Sequence, residues 1–108
     1  MATPGPRIAL DENQTEITPP GGNFRLAYLW VVNGSGATAY ISVWGGSGTS
    51  RTAGERSAGP WAVPNGHAGP VLIEVHAKNG VVVAAHTGSD ASGAPSSALD
   101  VVPFWEHA

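Results

Sequence analysis

The sequence predicts an all-β protein, an antiparallel β-sandwich or small barrel of about seven or eight strands. β-branched and aromatic residues alternate with a period of two, and glycine, proline, asparagine and serine bound each run. The 15 Gly and 9 Pro also interrupt the chain too often for a long helix. Strands this close in sequence favour antiparallel pairing. The predicted strands cover residues 7–10, 14–18, 24–33, 37–44, 61–63, 71–77, 81–87 and 97–105.

Length and composition predict a single domain. A chain of 108 residues can bury one core but not two. We expect residues 1–6, MATPGP, to be an extended arm that reaches a neighbour, and residues 7–108 to form the β domain. A Gly- and Ser-rich stretch exceeds the roughly 12–15 residues of ordinary loops. It predicts a long, mobile loop over 45–60, followed by a short edge strand at 61–63.

The last predicted strand contains a proline. Proline has no N–H to donate to a ladder of hydrogen bonds, so it is mostly confined to edge strands. Pro103 therefore predicts that this strand lies at a sheet edge or ends early.

Two turns are typical of β-hairpins. NGSG at 33–36 separates two apolar strands, and Asn79-Gly80 suits the positive φ angles of a type I′ turn. The register of the first hairpin predicts a core face and a mixed second face. The predicted core face carries Leu26, Tyr28, Trp30 and Val32 opposite Val43, Ile41, Ala39 and Ala37, and the second face carries Arg25, Ala27, Leu29 and Val31 opposite Trp44, Ser42, Tyr40 and Thr38.

This second face is less polar than a solvated sheet face, which predicts that something covers it. The cover could be the N-terminal strands or the 45–70 segment of the same chain. It could be another subunit or partner, because Tyr, Trp and Arg are favoured interface anchors. It could also be a sugar stacked on Tyr40 or Trp44. The candidate interface or binding residues are Arg25, Leu29, Tyr40, Trp44, Trp61, Phe104 and Trp105.

No motif predicts catalysis, so we expect a protein that is not an enzyme and has no cofactor. Of the eight acidic residues only Glu74 lies securely inside a predicted strand, whereas glycosidase chemistry needs two carboxylates flanking one cleft. Ser89 and Asp90 follow His86, but no GxSxG nucleophile turn occurs.

A metal site is also not expected. There is no HxH or HExxH spacing. A type I′ turn places His76 and His86 on opposite faces, although a three-residue loop would bring them together.

Charge and hydropathy exclude other partners. Charged residues make up 12% of the chain, its five basic residues are scattered, and the formal charge is −3, which argues against nucleic acid. The longest apolar run, Leu26 to Val32, is too short to cross a membrane. The N-terminus has no signal-peptide pattern, so we expect a product made in the cytoplasm. Without cysteine, the fold depends on packing or assembly.

Several segments between residues 24 and 88 resemble small all-β virion proteins of tailed bacteriophages, of the capsid-decoration or head-fibre type. These segments are WVVNGSGATAYISVW, AVPNG, PVLIEV and NGVVVAAHTG, with a Gly-, Thr- and Pro-rich excursion between the first two. They correspond to the strand, turn and core positions of that family. The HA at 67–68 and the tail PFWEHA depart from the pattern.

The resemblance implies a noncatalytic β-sandwich on the virion surface, made in the host cytoplasm, that decorates or cements a capsid or tail. Its expected partners are the major capsid protein or another virion protein and further copies of itself, with a trimer favoured. The alternative function is a carbohydrate-binding, lectin-like module that stacks Trp44, Tyr40 or Trp61 on a glycan.

Overall fold

A computed structural model describes residues 2–19, 21, 24–77 and 80–107. Within these residues, nine strands form two antiparallel sheets that pack as a sandwich, which confirms the predicted fold class. The strands are β1 (Thr3–Pro4), β2 (Ile8–Leu10), β3 (Thr15–Ile17), β4 (Phe24–Val32), β5 (Ala39–Gly45), β6 (Ala58–Val63), β7 (Ala68–Ala77), β8 (Val81–His86) and β9 (Leu99–His107).

The first sheet has the order β1-β9-β4-β7, with β2 also pairing with β9, and the second has the order β3-β8-β5-β6. One apolar core fills the space between them. The strands alternate, so every second side chain of each sheet enters that core. The inward rows include Leu26, Leu29 and Val31 of β4, Ile41 and Val43 of β5, and Val81, Val83 and Ala85 of β8.

The chain crosses between the sheets at both predicted hairpins. β4 pairs with β7 and β9, whereas β5 pairs with β6 and β8. At the second turn the chain passes from β7 in the first sheet to β8 in the second, and residues 78 and 79 lie outside the described residues. Both hairpin predictions are therefore wrong. A turn sequence indicates a change of direction, but it does not say which strand becomes the neighbour.

Asn33 holds the first crossing in place. Its Nδ2 donates to the carbonyl oxygens of Ala37 (3.0 Å) and Val63 (2.9 Å). Its Oδ1 accepts from the backbone N (3.1 Å) and the Oγ (2.7 Å) of Ser35. The residue is 1% exposed, so these bonds replace the water that its amide loses on folding.

A β-bulge at Ala27 reverses the expected faces of β4. The pairing register with both neighbouring strands shifts between Leu26 and Tyr28. One extra residue moves every later side chain to the other face. Leu29 and Val31 therefore point into the core. Tyr28, Trp30 and Val32 point outwards, so the sequence-based assignment of these five residues is wrong.

β9 is an interior strand despite Pro103, which corrects the edge prediction. The backbone N of Gly5 donates to the carbonyl oxygen of Pro103 at 2.8 Å, so this side of Pro103 faces β1 and β2. In an extended strand the N and the carbonyl of one residue point to the same side. The backbone N of Pro103 thus faces the gap between β1 and β2, where no strand residue lies opposite to accept a hydrogen bond.

The described part of the N-terminal arm pairs with its own chain, where we expected it to reach a neighbour. Thr3 and Pro4 are strand partners of Trp105 and Phe104. Gly5 lies directly on the indole, because a Cβ built on it would be 3.0 Å from Trp105 Nε1. Close packing of a glycine against a ring fixes the arm as an extension of the first sheet.

Candidate functional site

The segment 46–57 covers the part of the outer face of the second sheet around Trp44. Trp44 points outwards from β5 next to Val82 and Ala84 of β8, yet it is fully buried. Its Nε1 donates to the carbonyl oxygen of Thr52 at 2.9 Å. For Trp44, the hypothesis of a cover within the same chain is therefore correct, and its placement on an accessible face is wrong.

Hydrogen bonds anchor this covering loop at both ends. Arg51 Nη2 donates to the carbonyl oxygens of Gly45 (3.0 Å) and Ser47 (2.7 Å), and Gln14 exchanges two bonds with the Arg51 backbone. Further along, Arg56 Nη1 contacts Ser42 Oγ (3.3 Å) and the carbonyl oxygen of Ser89 (2.9 Å). The segment that we expected to be mobile is thus bonded to the second sheet and to two neighbouring loops.

The structure does not bring the seven candidate residues together. Like Trp44, Leu29 and Trp105 are fully buried within the protomer, so their expected accessibility is also wrong. Tyr40 and Trp61 are half-buried on the second sheet, and Trp61 packs against the core. Arg25 and Phe104 alone lie, half-buried, on the outer face of the first sheet.

That outer face is open and apolar. Trp30, Val32 and Leu72 are its exposed large apolar residues, at 44%, 39% and 66% of full exposure. Other apolar side chains lie next to them on the paired strands. Tyr28, for example, lies between Leu72 and Phe104. Contiguous exposed apolar surface of this kind marks an interaction site more often than isolated residues do. We call this surface the open face; it consists of Tyr28, Trp30, Val32, Pro70, Leu72, Val102 and Phe104.

Two of its rings stand side by side. The ring centroids of Tyr28 and Phe104 are 4.6 Å apart, with an angle of 14° between the ring planes. This distance is close to the separation of neighbouring strands, about 4.8 Å. The rings therefore stack along the sheet, and each covers a face of the other. Trp30 is the third large ring of the open face, and no ring of the described residues stacks on it.

Ion pairs lie at both ends of the open face. At one end Arg25 contacts Glu106 at 3.0 Å and Glu74 at 3.5 Å. At the other end Arg7 contacts Asp100 at 3.4 Å. All seven residues of the open face itself are uncharged. An apolar centre with a polar rim is the general arrangement of protein interfaces.

The sheet edges are poorly suited to adding a strand. β1, β2 and β3 are only two or three residues long. In β6, Pro60 follows Gly59, which has φ +94°. β7 contains Pro70 and a left-handed Glu74, with φ +58°. Short strands, prolines and bulges at edges oppose sheet-to-sheet pairing, so among the described residues the open face is better suited to association than the strand edges are.

A cleft of about 320 Å³ opens between the edges of the two sheets. Its lining is mostly apolar and contains one carboxylate, Glu16, so it lacks the paired groups of general acid–base chemistry. Among the residues that the structure describes, no three metal-ligating side chains form a cluster. The lining residues are Pro6, Ile8, Glu16, Ile17, Thr18 and Pro103.

His86 is the buried titratable group of the second sheet. It is 7% exposed, and its Nδ1 has no hydrogen-bond partner in the structure. Burial lowers the pKa of His86, Arg56 also lowers it, and Glu12 and Asp90 oppose the shift. Asp90 accepts a hydrogen bond from Ser92, not from His86. His76 lies on β7, so the two histidines belong to different sheets.

No family model, curated protein or solved structure matches this chain. No helix in the described part of the chain is long and apolar enough to cross a membrane.

The open face was missed because plain alternation was assumed throughout β4. One signal in the sequence could have revealed the bulge. Leu26 and Leu29 are three residues apart, so a strictly alternating strand cannot bury both. The small Ala27 between them is the extra residue that makes both inward positions compatible.

Proposed function

We propose that this chain is a noncatalytic structural protein of a tailed-bacteriophage particle. It decorates or cements the capsid or tail surface as an oligomer, and the open face makes protein–protein contacts within that assembly. The observation that carries the proposal is the open face itself. It is apolar and uncovered, whereas the outward Trp44, Val82 and Ala84 of the opposite face are fully buried.

The composition supports an assembly role. Without disulfides, additional stability must come from packing or from contacts between chains. A small interface per copy is sufficient on a particle that presents many copies, because multivalency raises the effective concentration of each later contact. The resemblance of residues 24–88 to phage virion proteins supplies the class of particle.

The state of the three rings suggested for sugar stacking favours protein over glycan as the ligand. Trp44 is sealed, Trp61 is packed against the core, and Tyr40 is half-buried on the second sheet. A protein surface needs only shape complementarity to the exposed edges and aliphatic groups.

The proposal is tested by sedimentation with particles of the phage whose genome encodes the chain. The tagged protein should appear in the particle band, and Leu72→Glu should reduce its amount there. The control is Ala62→Glu, which places the same charge at an exposed strand position of the second sheet. Absence of the wild-type chain from purified particles would contradict the proposal. Binding of a strictly monomeric chain to a glycan column would support the lectin-like alternative instead.

A further inference from the structure

We infer that the open face binds a second copy of this chain in a two-fold, face-to-face dimer. Each strand of the first sheet then lies over the same strand of the other copy and runs in the opposite direction. This inference deepens the proposed function, because it names the partner of the same face. It rests on the size of the face, the distribution of charge at its ends and the position of its exposed apolar groups.

The size of the first sheet suits such a dimer. Four strands about 4.8 Å apart and nine residues of about 3.3 Å each give a face of roughly 19 by 30 Å. β4 has nine residues, and β7, β4, β9 and β2 supply the width. Side-chain relief raises the accessible area above this flat value. The result is comparable to the roughly 800 Å² that each partner contributes to a standard protein interface.

The two ends of the sheet differ in charge, because the Arg25 end is net negative whereas Arg7 and Asp100 cancel at the other end. Arg25 shares one positive charge between Glu74 and Glu106, which leaves one net negative charge at that end. At the other end the Arg7 side chain is 71% exposed and makes a loose 3.4 Å contact with Asp100. Arg7 is therefore the cation that is available to a partner carboxylate.

Of the two possible two-fold axes, only one joins these ends. An axis that runs across the strands places the Arg7 end of one copy over the Glu106 end of the other. Both Asp100 and Glu106 lie on β9, so Arg7 and the partner carboxylate also match sideways. An axis parallel to the strands instead brings Glu106 towards Glu74 of the second copy, which repels. Avoidance of two facing negative ends thus selects the antiparallel arrangement, in which the exposed Arg7 meets a partner carboxylate.

The exposed apolar groups lie near this axis. The Arg25 and Val32 rows bound the face, and the rows of Tyr28 and Trp30 lie between them. Leu72 extends the Tyr28 row at the unpaired side of the sheet, where it is the most exposed large apolar residue described. Central, fully desolvated aromatic and aliphatic groups dominate the energy of most interfaces. In the dimer, Trp30 and Leu72 of each copy are buried against the other copy.

The first experiment measures the mass of the purified full chain by sedimentation equilibrium from submicromolar to tens of micromolar concentrations. We expect a reversible monomer–dimer equilibrium. Leu72→Glu should raise the dissociation constant by about tenfold or more, because it buries an unpaired charge. Ala62→Glu, on the other sheet, should leave it unchanged. A wild-type monomer at every concentration, or a dimer unaffected by Leu72→Glu, would overturn the inference.

The second experiment tests the orientation with a thiol-reactive cross-linker. The chain has no cysteine, so Pro70→Cys introduces a single reactive site on β7, in the Trp30 row. Facing sheets lie on the order of 10 Å apart, which is beyond a disulfide but within reach of a short bis-maleimide. We expect efficient dimer cross-linking of Pro70→Cys and little of Ala62→Cys. Equal yields for the two variants would contradict the face-to-face arrangement.

A charge-reversal experiment tests the pairing of Arg7 with Glu106 of the second copy. Arg7→Glu should weaken the dimer, and adding Glu106→Lys in the same chain should recover part of the loss. Failure of the second change to recover any affinity would contradict the antiparallel orientation. These results are separable from the proposed function. A monomer that still sediments with phage particles would refute only the dimer, and a dimer absent from particles would refute only the virion role.

Discussion

Each outer face of the sandwich carries an outward-pointing tryptophan, but one of the two is buried and the other is exposed. The second sheet points Trp44 outwards, and the segment 46–57 folds over it. The first sheet points Trp30 outwards, and no described segment covers that ring to the same extent, so it remains 44% exposed. Whether an outward tryptophan is structural or available for binding is therefore decided by the neighbouring loop, not by the strand that carries it.

The loop that covers Trp44 is held to the indole by a hydrogen bond. The indole buries its ring on Val82 and donates its N–H to a backbone carbonyl of the loop. A buried indole N–H usually finds an acceptor, and Trp44 finds one in the loop that covers it. The connections into β7 (64–67) and β9 (87–98) leave Trp30 44% exposed.

The largest loss of stability is expected when Trp44, the buried outward tryptophan, is removed. Trp44→Ala should lower the free energy of unfolding by about 3–5 kcal/mol, because it leaves a cavity beneath the loop and an unpaired carbonyl at Thr52. Chemical denaturation monitored by circular dichroism measures this loss. A loss below about 1 kcal/mol would show that the loop does not seal the face in solution.

The crossing between the sheets should be the next most sensitive place. Asn33→Ala removes two donors and an acceptor from a buried site and leaves the carbonyl of Val63 without its Asn33 partner. We expect a loss of about 2–3 kcal/mol, measured by the same unfolding experiment. Asn65→Ala is a suitable control, because Asn65 is exposed and its Oδ1 accepts a hydrogen bond from the backbone N of Gly36. Equal losses for both variants would argue against a special role for Asn33.

The second sheet should also become less stable in weak acid, because of His86. Burial lowers the pKa of the folded imidazole below its ordinary value of about 6.5. The stability contributed by neutral His86 is therefore present above the unfolded pKa and is lost as the pH falls through the folded pKa. Unfolding curves between pH 7 and pH 5 should show this decline. His86→Gln should flatten it, and an unchanged slope in that variant would assign the decline to other groups.

The smallest effect on stability is expected at the open face. Trp30→Ala removes an exposed ring and creates no internal cavity, so the monomer should lose no more than about 1 kcal/mol. Unfolding measured at a concentration below the dimer dissociation constant isolates this term. A loss as large as that for Trp44→Ala would mean that Trp30 is covered in solution, and the contrast between the two faces would disappear.

Much of the fold could be predicted from the sequence. The eight predicted strands all occur, because alternation and turn residues are local signals. The edge position of β6 was also predicted correctly. β1 was missed, because two residues give no periodicity. The sheet assignment failed, since the pairing of β4 with β9 joins residues about eighty positions apart and has no local signature.

The candidate site was harder to predict. Phe104 and Arg25 were placed in the candidate set, and both do lie on the outer side of the first sheet. Trp30, Val32 and Leu72 were not, because the register was carried through Ala27 without a bulge. Trp44 was misplaced for a different reason. Its cover comes from the 46–57 segment, whose Gly- and Ser-rich composition suggested mobility and gave no indication of where it would pack.

The bulge at Ala27 also determines how the sheet responds to a change in length. Without Ala27, plain alternation would still place Leu26 inwards, Tyr28 outwards and Leu29 inwards, so losing this one codon preserves the solvent-facing row. Losing the codon for Trp30 instead would turn Val31 towards water and Val32 inwards. In a comparison of related chains, a one-residue gap at Ala27 is therefore neutral for the two faces, whereas the same gap at Trp30 exchanges them.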